Sequence, residues 1–363
     1  MYAKKIQLVG ISNQLNFSFN LVNSTTMPYN VKKIIFGGIG MKLKVLIVLG
    51  LALLLFAACG TEERVEGVYL VASLQIVEHV ALDGARAGFV SGLRDEGFVE
   101  GENLQFVYYN AQGDMSNALL MSTSIVELEP DLILGIATPT SQSLANATDT
   151  IPIVITAVTS PYRAGLVDSD ERPGRNVTGT TDMTPVARQF ELIMRLLPDA
   201  QRVGILYNAG EINSVIQADI AEEAALALGL VPERMTAPVA ADVMQAAESV
   251  AGRVDVIYVP TCNLMAAGIV SIVRAAEDAG IPVISGEEGM VENGALATEG
   301  INYYELGRQT AVMAAQILRG EASPETMPIQ SQAEYSLTVN MTTANILGIT
   351  IPDDILAIAR IVE

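Results

Sequence analysis

Six short segments hold most of the side chains able to do chemistry: Gln75–His79, Ala137–Gln142, Ala157–Pro161, Asn208–Ser214, Pro260–Asn263 and Gly286–Met290. They are rich in Thr, Ser, Asn, Gln and Glu, residues that hold a small polar molecule by hydrogen bonds rather than attack it. His79 is the single histidine, which removes most metal sites and most imidazole acid–base schemes. No Ser-His-Asp order, phosphate-binding loop or metal-ligand spacing appears, so no cofactor is expected. Gly37–Gly40 (GGIG) is too short for a dinucleotide fingerprint. Glu287 and Glu288 are the obvious pair for a glycosidase-like hydrolase, but adjacent side chains diverge in regular structure, which makes an enzyme the weaker reading.

The elements that must position these loops alternate. Apolar runs predict strands at Val68–Leu74, Leu104–Tyr109, Leu132–Ile136, Ile153–Thr156, Arg202–Tyr207, Val256–Val259 and Val283–Ser285. Between them, helical spacing predicts Ala81–Glu96, Met115–Leu128, Pro139–Ala147, Val186–Leu197, Asn213–Leu228, Ala240–Ala251, Met265–Ala279 and Tyr304–Arg319. Strand–helix alternation implies parallel α/β sheets. The wording repeats in order: VYLVASLQ with RVGILYNAG, PDLILGIATPTSQ with VDVIYVPTCN, and IPIVITAVTSP with IPVISGEEGM. We therefore expect two doubly wound α/β lobes of like topology, the first over 67–180 with a return segment near 303–330, the second over 181–302. Residues 331–363 are expected to pack across both. Ligands of open α/β sheets bind outside the carboxyl ends of the strands, so the six loops should line a cleft between the lobes.

The ordered set Gln75–His79, Ala81–Asp83, Asn110–Asp114, Ile136–Pro139, Thr156–Thr159, Asn176–Gly179, Val259–Thr261, Gly286–Glu288 and Tyr303–Gln309 resembles the ABC-type solute-binding lipoproteins whose characterised members bind tryptophan or tyrosine. That resemblance spans almost all of 67–363. It implies a type I periplasmic-binding fold, capture of a small solute such as an amino acid by lobe closure, and delivery to a membrane permease driven by an ATPase, with the protein itself a monomer. A ligand sensor that signals without transport is the alternative within the same fold. One departure stands out: Cys262 occupies the place where the family usually has Asp.

An amino-acid ligand would need a hydroxyl-rich helix start for its carboxylate, and Thr138 and Thr159 are the expected holders, although such hydroxyls also cap helices. Its ammonium needs a carboxylate from among Glu78, Asp182, Glu211, Glu287 and Glu288, with Glu287 favoured. Gln75, His79, Gln142, Thr261 and Asn263 are further hydrogen-bonding candidates. Tyr162, Tyr207 and Tyr303 are the candidate aromatic walls, Tyr207 being placed in the site, and Cys262 is a candidate apolar wall.

Met41–Cys59 has two lysines, an apolar run, two small residues and a cysteine, which reads as a secretory signal over 41–58. Its end resembles a bacterial lipobox, with Phe56 where Leu is usual. The resemblance implies lipidation of Cys59, a tether over 59–66, and an extracytoplasmic protein anchored to the membrane. Residues 1–40 are expected to be an upstream extension that does not belong to the working protein. All six lysines lie before Cys59 and all fifteen arginines after it, and translation is expected to start at Met41. Fifteen Arg against forty-one Asp and Glu leave the remainder at −26, which argues against binding nucleic acid. With Cys59 lipidated, Cys262 has no partner for a disulfide.

Overall fold

A computed structural model describes residues 67–363; the lipobox, Cys59 and the tether lie outside the described residues. The first sheet contains β1 (Tyr69–Gln75), β2 (Leu104–Asn110), β3 (Leu132–Ile136), β4 (Ile153–Val158) and β5 (Val177–Thr181). All its pairings are parallel, in the order β2-β1-β3-β4-β5. The second sheet contains β6 (Arg202–Tyr207), β7 (Val231–Thr236), β8 (Val256–Val259), β9 (Val283–Ser285) and β10 (Ala297–Gly300). Their order, β7-β6-β8-β9-β10, is that of the first sheet again, so the repeated wording in the sequence reflects repeated topology. Two more strands, β11 (Ser336–Asn340) and β12 (Arg360–Val362), extend this sheet, with β11 antiparallel to β10. The final segment from 336 onward is thus part of the second lobe rather than a strap across both. Thr338, Val339 and Asn340 are buried in succession, so this end of β11 is covered on both faces.

The helices that matter for position are α1 (Val80–Asp95), α2 (Met115–Glu127), α3 (Thr138–Ala147), α4 (Val186–Leu196), α5 (Ile212–Ala227), α6 (Val243–Ala251), α7 (Asn263–Ala267), α8 (Ile269–Asp278), α9 (Glu288–Glu292) and α10 (Tyr303–Leu318). Every residue of β3 and β4 is buried, as expected for parallel strands covered on both faces. The stripe Ala85, Phe89 and Leu93 of α1 is fully buried. Removing the Phe89 ring would cost about 3–5 kcal/mol.

The chain crosses from the first sheet to the second after β5 and returns after β10 as α10, which packs on α1 and against β4 and β5. The two helices meet backbone to backbone. A Cβ on Gly88 would fall 1.9 Å from the Tyr304 carbonyl oxygen, and one on Gly307 would fall 1.9 Å from that of Ala85. Only glycine permits that approach, and it seats Tyr303 at the carboxyl ends of the first-sheet strands.

Beyond shifts of a residue or two at element ends, the structure differs from the sequence reading in one helix and in several strands. The single helix expected over Met265–Ala279 is α7 and α8, broken at Gly268, a poor helix former. Five of the described strands were not expected: β11 and β12, and also β5, β7 and β10. The last three, VTGTT, VPERMT and ATEG, lack apolar runs, and their place is set by pairing with strongly apolar neighbours.

Candidate ligand-binding site

The carboxyl ends of both sheets face a narrow cavity of about 10 Å³, room for about one water, so the lobes lie close together around it. The first lobe contributes His79 from the loop after β1, Ala157 from β4, Asp182 just past β5, Leu82 from α1, and Tyr303 from α10. The second contributes Asn213 from α5, Thr261, Cys262 and Asn263 after β8, and Glu287 and Met290 after β9. The lobes touch across it: the Thr159 and Thr261 hydroxyls lie 3.3 Å apart. Gly289 also lies against Val80, where an added Cβ would sit 2.7 Å from the valine Cβ.

On the second-lobe side most polar groups are committed to one another, with Asn213 Oδ1 and Gln217 Nε2 left unpaired. Glu211, before α5, is buried and accepts from the Asn263 backbone N–H at 3.1 Å, the Asn263 amide at 2.6 Å and the Leu264 N–H at 3.1 Å. It thereby caps α7 with an anion, as helix N-termini favour. Asn213 donates to the Thr261 carbonyl at 2.9 Å, and Gln217 accepts from the Thr261 N–H at 3.0 Å. Both backbone groups of Thr261 are therefore clamped by α5. Glu287 is turned onto its own helix, accepting from Gly289 N–H at 2.5 Å and Met290 N–H at 3.0 Å. Burial, with Glu288 and Glu292 nearby, pushes its carboxyl up to about 8. Its neighbour Glu288 points outward to Arg360 at 3.5 Å, so the adjacent pair diverges. Burial, reinforced by Glu211, pushes the Cys262 thiol far above its ordinary range, leaving it neutral.

The first-lobe side has free valences. Asp182 accepts from the Tyr303 hydroxyl at 2.8 Å through one oxygen, while its other oxygen, Oδ1, is buried without a partner. Burial raises this carboxyl to about 6, against the opposing pull of Tyr303 and Thr159. Thr138, first residue of α3, holds a buried Oγ1 with no partner. It is not itself on the cavity wall, but the register of β3, β4 and β5 makes their ends neighbours. Both ring nitrogens of His79 are buried and unpartnered, and burial lowers its pKa to about 4, so the ring is neutral. Asn263 lies beside the ring: its Nδ2 donates to Glu211, so the end it can turn to a ring N–H is Oδ1, and that contact falls short of a hydrogen bond. Ala137 and Ala157, at the ends of β3 and β4, have φ of 78° and 55°. Alanine rarely adopts such values, and this strain gathers where the strand ends meet the cavity.

Of the residues singled out in the sequence, His79, Asp182, Thr261, Asn263 and Glu287 line the cavity, with Thr159 and Thr138 adjoining it. Four do not reach it. Gln75 is buried and its amide holds Val77 and Asp83, which fixes the start of α1. Glu78 is exposed at the outer mouth. Gln142 donates to the Ala164 carbonyl at 2.9 Å, securing the loop after β4. Tyr207 packs in the second-lobe core under the Arg234 guanidinium, 4.9 Å away. Of the candidate aromatic walls, Tyr303 lines the cavity, whereas Tyr162 is 59% exposed. Asn213 and Gln217 were missed: both lie inside a helical pattern, and only α5's approach to β8 gives them a role.

The model of the family described as ABC transporter substrate binding protein matches residues 70–363. The chain is 38% identical over 273 residues to the tyrosine-binding protein of Clostridioides difficile (strain R20291), covering 75% of this chain and 79% of that one. A solved ABC domain in complex with L-Trp from Streptococcus pneumonia is 34% identical, with a TM-score of 0.79, covering 82% of this chain and 100% of that one. The ligand-free, open structure of CD0873, a substrate binding protein with adhesive properties from Clostridium difficile, is 39% identical, with a TM-score of 0.63, covering 82% of this chain and 99% of that one.

Proposed function

The chain belongs to the ABC transporter substrate-binding protein family, and from that premise we propose that it captures a free amino acid between its lobes for an importer. The observation that carries this reading is the pair of unmet needs on the first lobe. Asp182 Oδ1 is a buried anionic acceptor without a donor, and Thr138 Oγ1 stands at the N-terminal end of α3. An ammonium satisfies the first, and a carboxylate satisfies the hydroxyl and the helix-start N–H groups. Asp182 replaces Glu287 as the proposed ammonium partner, because both Glu287 oxygens already cap α9. The tyrosine-binding relative and the L-Trp complex support an amino acid with a large side chain.

The mechanism is closure rather than covalent chemistry. Ligand binds the first lobe, the lobes rotate about their crossing segments, and Thr261, Asn213 and Asn263 complete the enclosure. The higher TM-score to the L-Trp complex than to the open structure, despite lower identity, supports a closed arrangement. A permease and its ATPase would read the closed form, and lipidated Cys59 would hold the protein at the outer membrane face.

Thermal unfolding against the twenty amino acids, with sugars and nucleosides as controls, tests this reading. A ligand specific for the folded state adds about 2.7 kcal/mol at 100 times its Kd. A raised midpoint with one or a few amino acids is expected; a rise with sugars alone overturns the amino-acid assignment.

A further inference from the structure

Once a zwitterionic head group is placed on Asp182 and Thr138, two polar features of the cavity remain unmatched. They lie on opposite walls, His79 on the first lobe and Asn213 on the second. We infer that His79 and Asn213 form a polar subsite that reads a hydrogen-bond donor on the ligand's side chain, such as a phenol or ring N–H. This inference rests on the amino-acid reading above and deepens it.

The orientation of Asn213 is fixed by its neighbours. Its Nδ2 faces three oxygens: the Thr261 carbonyl at 2.9 Å, a Glu211 carboxylate oxygen at 3.4 Å and the Ser214 hydroxyl at 3.5 Å. The carbonyl and the carboxylate can only accept, so the amide cannot flip without facing oxygen against oxygen. Its Oδ1 is therefore the free end, on a residue 3% exposed, and Oδ1 has no partner. Only a donor satisfies it. His79 adds one N–H and one bare nitrogen, because the ring is neutral, and neither is engaged. The apolar remainder of the wall, Leu82, Met290, Cys262 and Ala266, accepts the hydrocarbon part of the side chain but offers it no polar partner.

A side chain that is apolar throughout would bury Asn213 Oδ1 and both His79 nitrogens without water or partner. Sites built to bond a ligand O–H or N–H reject the analogue that lacks it far more strongly than apolar pockets reject a missing methylene. The subsite should therefore separate amino acids that differ by a single donor.

Calorimetric titration of the whole protein with matched pairs tests this: tyrosine against phenylalanine, tryptophan against 1-methyltryptophan, threonine against valine. The expected result is that the donor-bearing member of at least one pair binds roughly 10- to 100-fold more tightly. In His79→Phe, which keeps ring shape and removes both nitrogens, that ratio should fall toward one while the donor-less member keeps its affinity. His79 makes no side-chain cap to α1, so the substitution leaves the helix start intact. Equal affinity within every binding pair, or a ratio untouched by His79→Phe, overturns the subsite while leaving the amino-acid reading standing. Failure of every amino acid to bind would instead overturn that reading, and this subsite with it.

Discussion

The two walls of the cavity use the same residue types in opposite ways. On the second lobe, Glu211, Asn213, Gln217 and Glu287 spend nearly all their hydrogen bonds on their own loops. On the first lobe, Asp182, Thr138 and His79 are equally buried at their polar atoms but leave them unpaired. Buried polar atoms in proteins are ordinarily paired. The second wall is thus largely self-satisfied, with Asn213 Oδ1 left free, and the first holds most of the valences that a ligand would fill. A carboxylate at a strand end says little by itself; what matters is whether its neighbours have already claimed it.

The largest expected effect comes from breaking the self-satisfied wall. Glu211→Ala removes the acceptor for two backbone N–H groups and three side-chain amides around the start of α7. Leaving several buried donors unmet should destabilise the protein by about 3–5 kcal/mol, read as a lower denaturant midpoint at constant m-value.

Asp182→Asn strikes the open wall and should do the reverse. Its carboxyl is raised from 3.8 to about 6 in the folded protein, so stability is present at low pH and lost as pH rises through about 6. Neutralising it should leave neutral-pH stability unchanged or higher while weakening ligand by about 2–4 kcal/mol. In the parent protein, affinity should weaken about tenfold per pH unit below about 6, because protonated Asp182 no longer attracts an ammonium. Calorimetry across pH 4–8 measures both variants, and the dependence should vanish in Asp182→Asn.

Glu287 sharpens the contrast through stability alone. It ionises near 4.5 in the unfolded chain but near 8 in the folded one. Between those values the unfolded state binds fewer protons, so stability should fall as pH rises from about 4.5 to 8. Glu287→Gln should flatten that slope in thermal melts while changing affinity less than Asp182→Asn does.

The smallest effect tests how the walls meet. Gly289→Ala places a methyl 2.7 Å from the Val80 Cβ, across the lobes. It should weaken binding by about 1–2 kcal/mol through incomplete closure, with little change in the melting of the ligand-free protein.

Much of the fold was legible because buried parallel strands are continuous apolar runs: β3, β6, β8 and β9 coincide with LILGI, RVGILY, VIYV and VIS. The duplication was legible from the matching wording after those strands. The half-exposed edge strand β7 was not, because VPERMT has no apolar period and is held by pairing with β6. Five of the six expected loops reach the candidate cavity, whereas Ala137–Gln142 does not line it and Asp182 and Tyr303 come from outside all six. Which member of a loop faces the cavity was not legible, since Asp182 and Glu287 look alike in sequence and differ only in the partners that folding brings. Tyr303 was weighed as a wall but its hydrogen bond to Asp182, 121 residues earlier, follows only from the glycine contacts of α1 and α10.

The central claim is that Asp182 receives the ligand's ammonium, and a chemical double-mutant cycle tests it most directly. Calorimetry would compare the bound amino acid, tyrosine or tryptophan for example, with its deaminated analogue on the parent protein and on Asp182→Asn. The account predicts that either change alone costs at least about 2 kcal/mol and that the second adds little once the first is made. Full additivity of the two losses would place the ammonium elsewhere and contradict the account.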